Sequence, residues 1–210
     1  MNNIMIRLLI GIPTRGNDIS SGLFNFIINT ISAKNNLATK VMIGQSSVAA
    51  AFAVDKLWEM LAAQIDSFDY YIQIDSDVVP PDGAIESMIA KDKDIIVAPI
   101  WHYDMVSKDI HLNIHPKHLR ERQYKIRLSG CERIYSSSLG LIAMKHRVVE
   151  EFIKTKESPI HWTPMLGDYT GTDIHNDNVF FAKAAKLGFE TWVDWDVINV
   201  VHQRGIDLST

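Results

Sequence analysis

Short apolar runs with the length of β-strands alternate along most of this chain with segments of helical periodicity. The runs predicted as strands are residues 6–12, 38–44, 70–74, 95–99, 139–144, 191–193 and 197–201. The segments predicted as helices are residues 23–31, 54–65, 84–91, 147–154 and 177–187, the last ending at Gly188. Such alternation is typical of an α/β fold, in which helices cover a mostly parallel sheet.

The 210 residues have the length of one large domain, spanning residues 1–210, and only the middle departs from the alternation. The segment of about residues 101–138 is polar, which indicates an insertion, either a lid or a platform for a second substrate. Its histidines include His111, His115 and His118. We interpret them as part of a solvated loop rather than a metal module, because Pro116 disfavours a regular helix there.

Composition excludes several classes of protein. The net charge of −4 argues against a nucleic-acid partner. The single cysteine, Cys131, excludes an intrachain disulfide and suits a reducing compartment. No apolar run is long enough for a transmembrane segment. Together these features predict a cytoplasmic location.

Two acidic residues follow the predicted strand 70–74, in the stretch YYIQIDSDVVPP. Ligands bind at the carboxyl ends of strands in open α/β sheets, which makes Asp75, Ser76 and Asp77 candidate site residues. Two carboxylates this close repel each other unless they share a proton or bind a cation. Mg²⁺ or Mn²⁺, completed by water and substrate phosphates, would resolve the repulsion. An acidic surface turn before Pro80 is the alternative, and three residues alone do not decide between them.

No phosphate-binding glycine loop accompanies these acids. The turn predicted after the first strand reads Pro13-Thr14-Arg15-Gly16, which matches neither GxGxxG nor GxxxxGK[ST]. A bound diphosphate would therefore be held through a metal ion and through side chains. Arg15 is a candidate partner for that diphosphate, and a solvated turn residue is the equal alternative.

Four stretches, in this order along the chain, resemble motifs of the GT-A fold glycosyltransferases, particularly the inverting family 2-like enzymes. They are IGIPTRG, QIDSDVVPP, SLGLIAMKHRVVEEF and NDNVFFAKAAKLGFETWVDWDVINVVHQ. The first resembles the nucleotide-binding opening and the second resembles the DxD motif. The third resembles the strand and helix beside the acceptor site, and the fourth resembles the closing section. The resemblance spans nearly the whole chain and implies a Rossmann-like, mixed, mostly parallel sheet flanked by helices.

The resemblance also implies an activity and a set of site residues. The activity is metal-dependent transfer of a sugar, with inversion, from a UDP- or GDP-type donor to a hydroxyl of a glycan, lipid or protein. The implied ligands of Mn²⁺ or Mg²⁺ are Asp75, Asp77 and His202. The implied general base is Asp177, with Asp173 as the alternative. The implied donor contacts are Pro13, Thr14, Arg15, Gln45, Asp75, Ser76 and Asp77, and the implied sugar or acceptor contacts are Trp101 and Gly140.

The chain departs from the family pattern at two places. Asn176 stands where many members carry the first of two tandem acids, and the stretch VMIGQSS supplies no carboxylate after the second strand. Gln45, Ser46 or Ser47 would then contact the nucleotide. Two other functions fit parts of the sequence. One is a phosphatase of the haloacid dehalogenase type, with Asp75 as nucleophile, although two strand–helix units precede the acids. The other is a sugar-nucleotide-binding domain without turnover.

Overall fold

The structure of the protein is a computed structural model, and it describes residues 5–15, 18–33, 36–46, 50–103, 110–116, 129–159, 176–198 and 200–202. The strands are β1 Ile6–Arg15, β2 Leu37–Ser46, β3 Tyr70–Ile74, β4 Val78–Val79, β5 Ile95–Val97, β6 Trp101–Tyr103, β7 Ile110–Leu112, β8 Ile114–His115, β9 Cys131–Ile134, β10 Ser136–Ser137, β11 Leu141–Lys145, β12 Thr191–Asp194 and β13 Val201–His202. The α-helices are α1 Ser21–Ser32, α2 Ala50–Ala62, α3 Ala84–Ala90, α4 His146–Thr155 and α5 Asn176–Lys186, and a 3₁₀ turn spans Ile65–Ser67. Not one of these helices has the length and apolar character needed to cross a membrane.

A seven-stranded sheet with the order β2-β1-β3-β11-β5-β12-β9 forms the centre of the fold. Strand β1 pairs in parallel with β2 and β3, and β12 pairs in parallel with β5. Strand β11 is antiparallel to both β3 and β5, and β9 is antiparallel to β12. The predicted mixed, mostly parallel α/β architecture is therefore confirmed.

The two faces of the sheet are covered by different helices. One core cluster joins Leu8, Ile10 and Ile12 of β1 to apolar side chains of α1 and α3. The other joins Leu9 to side chains of α2, α4 and α5, including the stacked rings of Phe152 and Phe180. The right-handed crossover rule explains why α1 and α2 lie on opposite faces. The connections β1–α1–β2 and β2–α2–β3 move in opposite directions along the sheet, so their helices lie on opposite faces.

Several helix ends follow the capping rules that the sequence indicates. The Ser20 hydroxyl accepts a hydrogen bond from the Leu23 amide at 3.2 Å, which satisfies one amide at the start of α1. Gly188 follows α5 with a φ of 86°, a backbone conformation that glycine adopts without strain. The predicted end of this helix at Gly188 is confirmed.

Strands β1 and β2 both continue beyond their predicted ends. The prediction that β1 stops at residue 12 is wrong, because the ladder to β2 continues through Pro13–Gly44 and ends at Arg15–Ser46. Proline lacks only one amide donor, and the rest of a long parallel ladder holds it in place. Ser46 is therefore the last residue of β2, and Ser47 lies outside the described residues.

The segment predicted as an insertion contains strands β6 to β10, and one of them belongs to the central sheet. Cys131–Ile134 forms β9 and pairs with β12, which makes it an edge strand of the central sheet. His115 is 6% exposed and lies in β8 opposite Ser136. The prediction of a solvated loop is therefore wrong at His115. His118 lies outside the described residues.

Candidate functional site

The strand order places a topological switch point, where α/β sheets form their ligand crevice, between the carboxyl ends of β1 and β3. The chain leaves β1 toward β2 on one side and leaves β3 toward β5 on the other, so the two connections diverge. Ligands of open α/β sheets bind in such a crevice. A hydrogen bond joins the two connections, since the Ser20 amide donates to the Ser76 carbonyl at 2.8 Å.

Asp75 is the first residue after β3, and its backbone is fixed on both sides. Its amide donates to the Gly140 carbonyl at 2.9 Å, and its own carbonyl accepts from the Val78 amide at 3.0 Å. The second bond closes a tight turn that carries Ser76 and Asp77. Ser76 is buried and Asp77 is partly buried. The turn therefore presents two carboxylates from a rigid strand end.

Gly140 packs closely against the residues that follow β3. A Cβ atom at position 140 would lie 3.3 Å from Asp75 Oδ2 and 2.9 Å from Ile100 Cδ1. Any larger side chain would press on the carboxylate. Gly140 thus lies beside the turn from Asp75 to Val78, called here the acid turn. It was predicted to contact a sugar or acceptor.

Three carboxylates interact at this end of the sheet. Burial, with the charges of Asp177 and then Asp77 as smaller causes, raises the pKa of Asp75 from 3.8 to about 7. Asp177 lies in the first turn of α5, and its Oδ2 accepts a hydrogen bond from the Leu139 amide at 3.3 Å. Residues far apart in sequence are therefore brought together, and their mutual repulsion favours binding of either a proton or a cation.

Two buried polar residues lie below Asp75 on the same face of β3, since side chains two residues apart share a face. Tyr71 Oη donates to Gln73 Oε1 at 3.4 Å, and Gln73 Nε2 donates to the Leu139 carbonyl at 3.5 Å. Burial, with a smaller contribution from Asp75, raises the pKa of Tyr71, so the phenol stays neutral. The sequence analysis missed Tyr71, Gln73 and Leu139. The signal was a glutamine inside an otherwise apolar strand, two residues before the first acid.

The shifted pKa of Asp75 predicts a pH-dependent stability. The folded-state pKa of about 7 exceeds the unfolded value of 3.8, so Asp75 favours folding at low pH and that contribution is lost as the pH rises toward 7. At 1.36 kcal/mol per pH unit, the loss amounts to as much as about 4 kcal/mol, less where solvent reaches the carboxyl. In EDTA, the Asp75→Asn variant should match the wild type at pH 4 and exceed it in unfolding free energy at pH 8. Urea denaturation across this range measures the difference, and a constant difference would contradict the shift.

The predicted donor contacts of β1 and β2 lie near the carboxyl ends of these two strands. Pro13 and Thr14 are buried near the end of β1, and Thr14 Oγ1 donates to the Asp18 carbonyl at 3.0 Å. Gln45 is exposed on β2 directly opposite Thr14. The backbone of Arg15 pairs with that of Ser46. Both β1 and β2 therefore end at the edge of the sheet where Asp75 lies.

The predicted metal ligands are only partly brought together among the described atoms. The backbone of His202 pairs with that of Val78, the residue after Asp77, in the ladder between β13 and β4. This ladder brings the end of the chain next to the acid turn. In the described part of the chain, no group of three or more His, Cys, Asp or Glu side chains forms a complete metal site. The fallback base, Asp173, lies outside the described residues.

Trp101 lies at the start of β6, next to the same region. It is an exposed aromatic residue, and it pairs with Leu112 of β7. The preceding residue, Ile100, is the one that a side chain at Gly140 would meet. Trp101 therefore directly follows a residue whose side chain packs close to Gly140 and Asp75.

Comparisons with known proteins bear on the fold. No family model matches the chain, and no curated protein matches it. Among solved structures, the chain is similar to the crystal structure of A197 from STIV, with a TM-score of 0.58 and 16% sequence identity. The similarity covers 96% of this chain and 96% of that one. At this level of identity, it shows a shared α/β fold over nearly the full length of both chains.

Proposed function

We propose that this protein is a metal-dependent glycosyltransferase of the GT-A type, which moves a sugar from a nucleoside-diphosphate sugar to an acceptor hydroxyl with inversion. The observation that carries the proposal is the convergence of Asp75, Asp77 and Asp177, from two separate segments, at the carboxyl end of β3. The topological crevice beside them and the order of the four motifs support it.

The acid turn suits the donor side of such a reaction. Mg²⁺ and Mn²⁺ are held by one or two carboxylates together with substrate phosphates and water, so Asp75 and Asp77 fit the ion without a complete protein cage. The raised pKa of Asp75 marks a carboxylate that lacks sufficient positive charge around it. A bound ion would supply charge that offsets the departing diphosphate. His202, whose backbone lies beside the turn, is the candidate third ligand.

Asp177 suits the acceptor side. The Leu139 amide holds one of its carboxylate oxygens, and the start of α5 stabilises its negative charge. An anion fixed in this way can accept the proton of an acceptor hydroxyl as that oxygen attacks the sugar. The exposed Trp101 offers an aromatic surface nearby.

A thermal-shift panel tests the donor site. UDP, GDP, CDP and dTDP are each added with Mn²⁺ or with EDTA to the wild type and to Asp77→Ala. One diphosphate with Mn²⁺, at a hundred times its dissociation constant, should add about 2.7 kcal/mol and raise the Tm by about 5–10 °C. The shift should vanish in EDTA and in Asp77→Ala.

A matched control is Asp82→Ala, an exposed acid in the neighbouring turn, which should keep the full shift. Stabilisation by no diphosphate, but by a phosphate-mimicking fluoride with Mg²⁺, would replace the proposal with the phosphatase. Stabilisation without release of diphosphate from any sugar donor would leave a domain that binds and does not turn over.

A further inference from the structure

Helix α1 carries an apolar flank that the fold leaves exposed. The side chains that face the sheet are buried: Leu23, Phe26, Ile27 and Thr30. Phe24, Ile28 and Ile31 are 58%, 46% and 48% exposed. Each of the three directly follows a buried residue, so at 100° per residue they share one flank of the helix. No residue of α1 is charged.

The direction of this flank follows from the handedness of the fold. Helix α1 connects the parallel strands β1 and β2, and such connections are right-handed. In a right-handed connection, the residue that follows a sheet-facing one points toward the second strand and beyond it. Phe24, Ile28 and Ile31 therefore point past β2.

Strand β2 is an edge strand of the central sheet and pairs only with β1 among the described strands. It is ten residues long, and its Ile43 side chain is 49% exposed on the face that α1 covers. A long edge strand with exposed apolar side chains is a site at which another strand can pair.

Helix α2 presents a further apolar side chain past the same edge. The Trp58 ring lies 5.4 Å from that of Phe152 in α4, which identifies the flank of α2 that faces the middle of the sheet. Met60 is on the opposite flank and is 37% exposed. Apolar side chains thus flank the open edge of β2 on both faces of the sheet.

We propose that a second copy of this chain covers this edge, with β2 paired antiparallel to β2 of the other copy about a two-fold axis. The geometry suits this partner. Helix α1 lies over the gap between β1 and β2, so its axis is displaced from β2 by about half a strand spacing. Because neighbouring strands lie about 4.8 Å apart, the axes of the two α1 helices would be about 10 Å apart. That is the normal packing distance of two helices, and the apolar flanks would meet there.

The charges near the edge also favour a second copy. The charged residue of β2 is Lys40, and pairing centred on Val41 or on Met42 would place it opposite Met42 or Gly44 rather than opposite another lysine. A lipid surface is a poorer partner, since an interfacial helix usually carries basic residues and α1 has none. A foreign strand would satisfy the β2 backbone but would leave the flanks of both helices exposed.

Light scattering coupled to size-exclusion chromatography tests the proposal on the full chain. The wild type should be a dimer at about 50 μM, a concentration that a standard-sized interface of about 800 Å² per partner sustains. In Ile28→Glu, each copy would bury one unpaired charge near the two-fold axis. The dimer should therefore be weakened at least about a hundredfold. Asn29→Glu adds the same charge at an exposed position one residue further and should leave the dimer intact.

The Tm values of the wild type and of both variants are compared at a dilution at which all three are monomers. Equal values would show that both variants fold. Hydrogen exchange adds a readout of strand pairing, since β2 amides that point away from β1 should be protected in the dimer and not in Ile28→Glu. A monomeric wild type at about 50 μM, whether or not it binds neutral vesicles, would overturn the proposal. So would a dimer that resists Ile28→Glu, or one whose outer β2 amides exchange freely.

Discussion

Asp177→Asn is expected to lower the rate of sugar transfer about 100- to 10,000-fold, the usual contribution of a general base. The asparagine oxygen can still accept the hydrogen bond of the Leu139 amide, which now reaches Asp177 Oδ2 at 3.3 Å, so the local structure should persist. What is lost is the capacity to take a proton from the acceptor. The rate of diphosphate release with donor and acceptor at saturation measures the effect.

Two further measurements separate a base from a structural residue. Stabilisation by the diphosphate with Mn²⁺ should survive in Asp177→Asn, because the proposed ion ligands are unchanged. The pKa of Asp75 should fall, because one of the two neighbouring charges that raise it is removed. Asn178→Ala, the next residue in the helix, is the control and should transfer sugar at the normal rate. A transfer rate within about tenfold of wild type in Asp177→Asn would remove Asp177 from the mechanism.

The second large effect is expected from Gly44→Ala, which should lower the unfolding free energy by about 3 kcal/mol or more. A Cβ atom at this position of β2 would lie 2.5 Å from Leu57 Cγ and closer still to the carbonyl oxygen of Ala53. The second contact is with the backbone of α2, which cannot rotate away. The helix would have to move off the sheet, and the buried contacts of Leu57 would weaken.

Urea denaturation measures this loss, with Gln45→Ala as the control. Gln45 is exposed at the next position of the same strand, so its replacement should change the unfolding free energy by less than about 0.5 kcal/mol. Hydrogen exchange in Gly44→Ala should increase first in α2. A loss below about 1 kcal/mol would mean that α2 moves away from β2 at little cost.

The parts of the fold that follow from local pattern were predictable. Strand β3 was predicted with its observed ends, because five residues of strand character stand between polar neighbours. The end of α5 follows from Gly188, whose left-handed backbone is a local property. The predicted ends of β1 and β2 are too early, because their last residues are extended only through pairing with each other, as at Thr14 and Gln45.

The arrangement of the site was less predictable, because it depends on contacts distant in sequence. Asp75 and Asp77 stand out by their position at a strand end, and Asp177 by resemblance. The Leu139 amide that holds Asp177, and the Gln73 side chain that bonds to the Leu139 carbonyl, depend on β11 lying beside β3. No periodicity reveals that placement. The pairing of His202 with Val78 is equally non-local, although resemblance pointed to that histidine.

The position of β11 has a consequence for how the chain folds as it leaves the ribosome. Strands β3 and β5 are consecutive members of the central sheet along the chain, yet β11 lies between them. Roughly 50 residues separate the end of β5 from the end of β11, a delay of several seconds at usual rates of synthesis. During that interval, β3 and β5 must either keep apolar edges open to water or pair with each other wrongly. A nascent chain at this stage is therefore a substrate for chaperones that bind exposed strands.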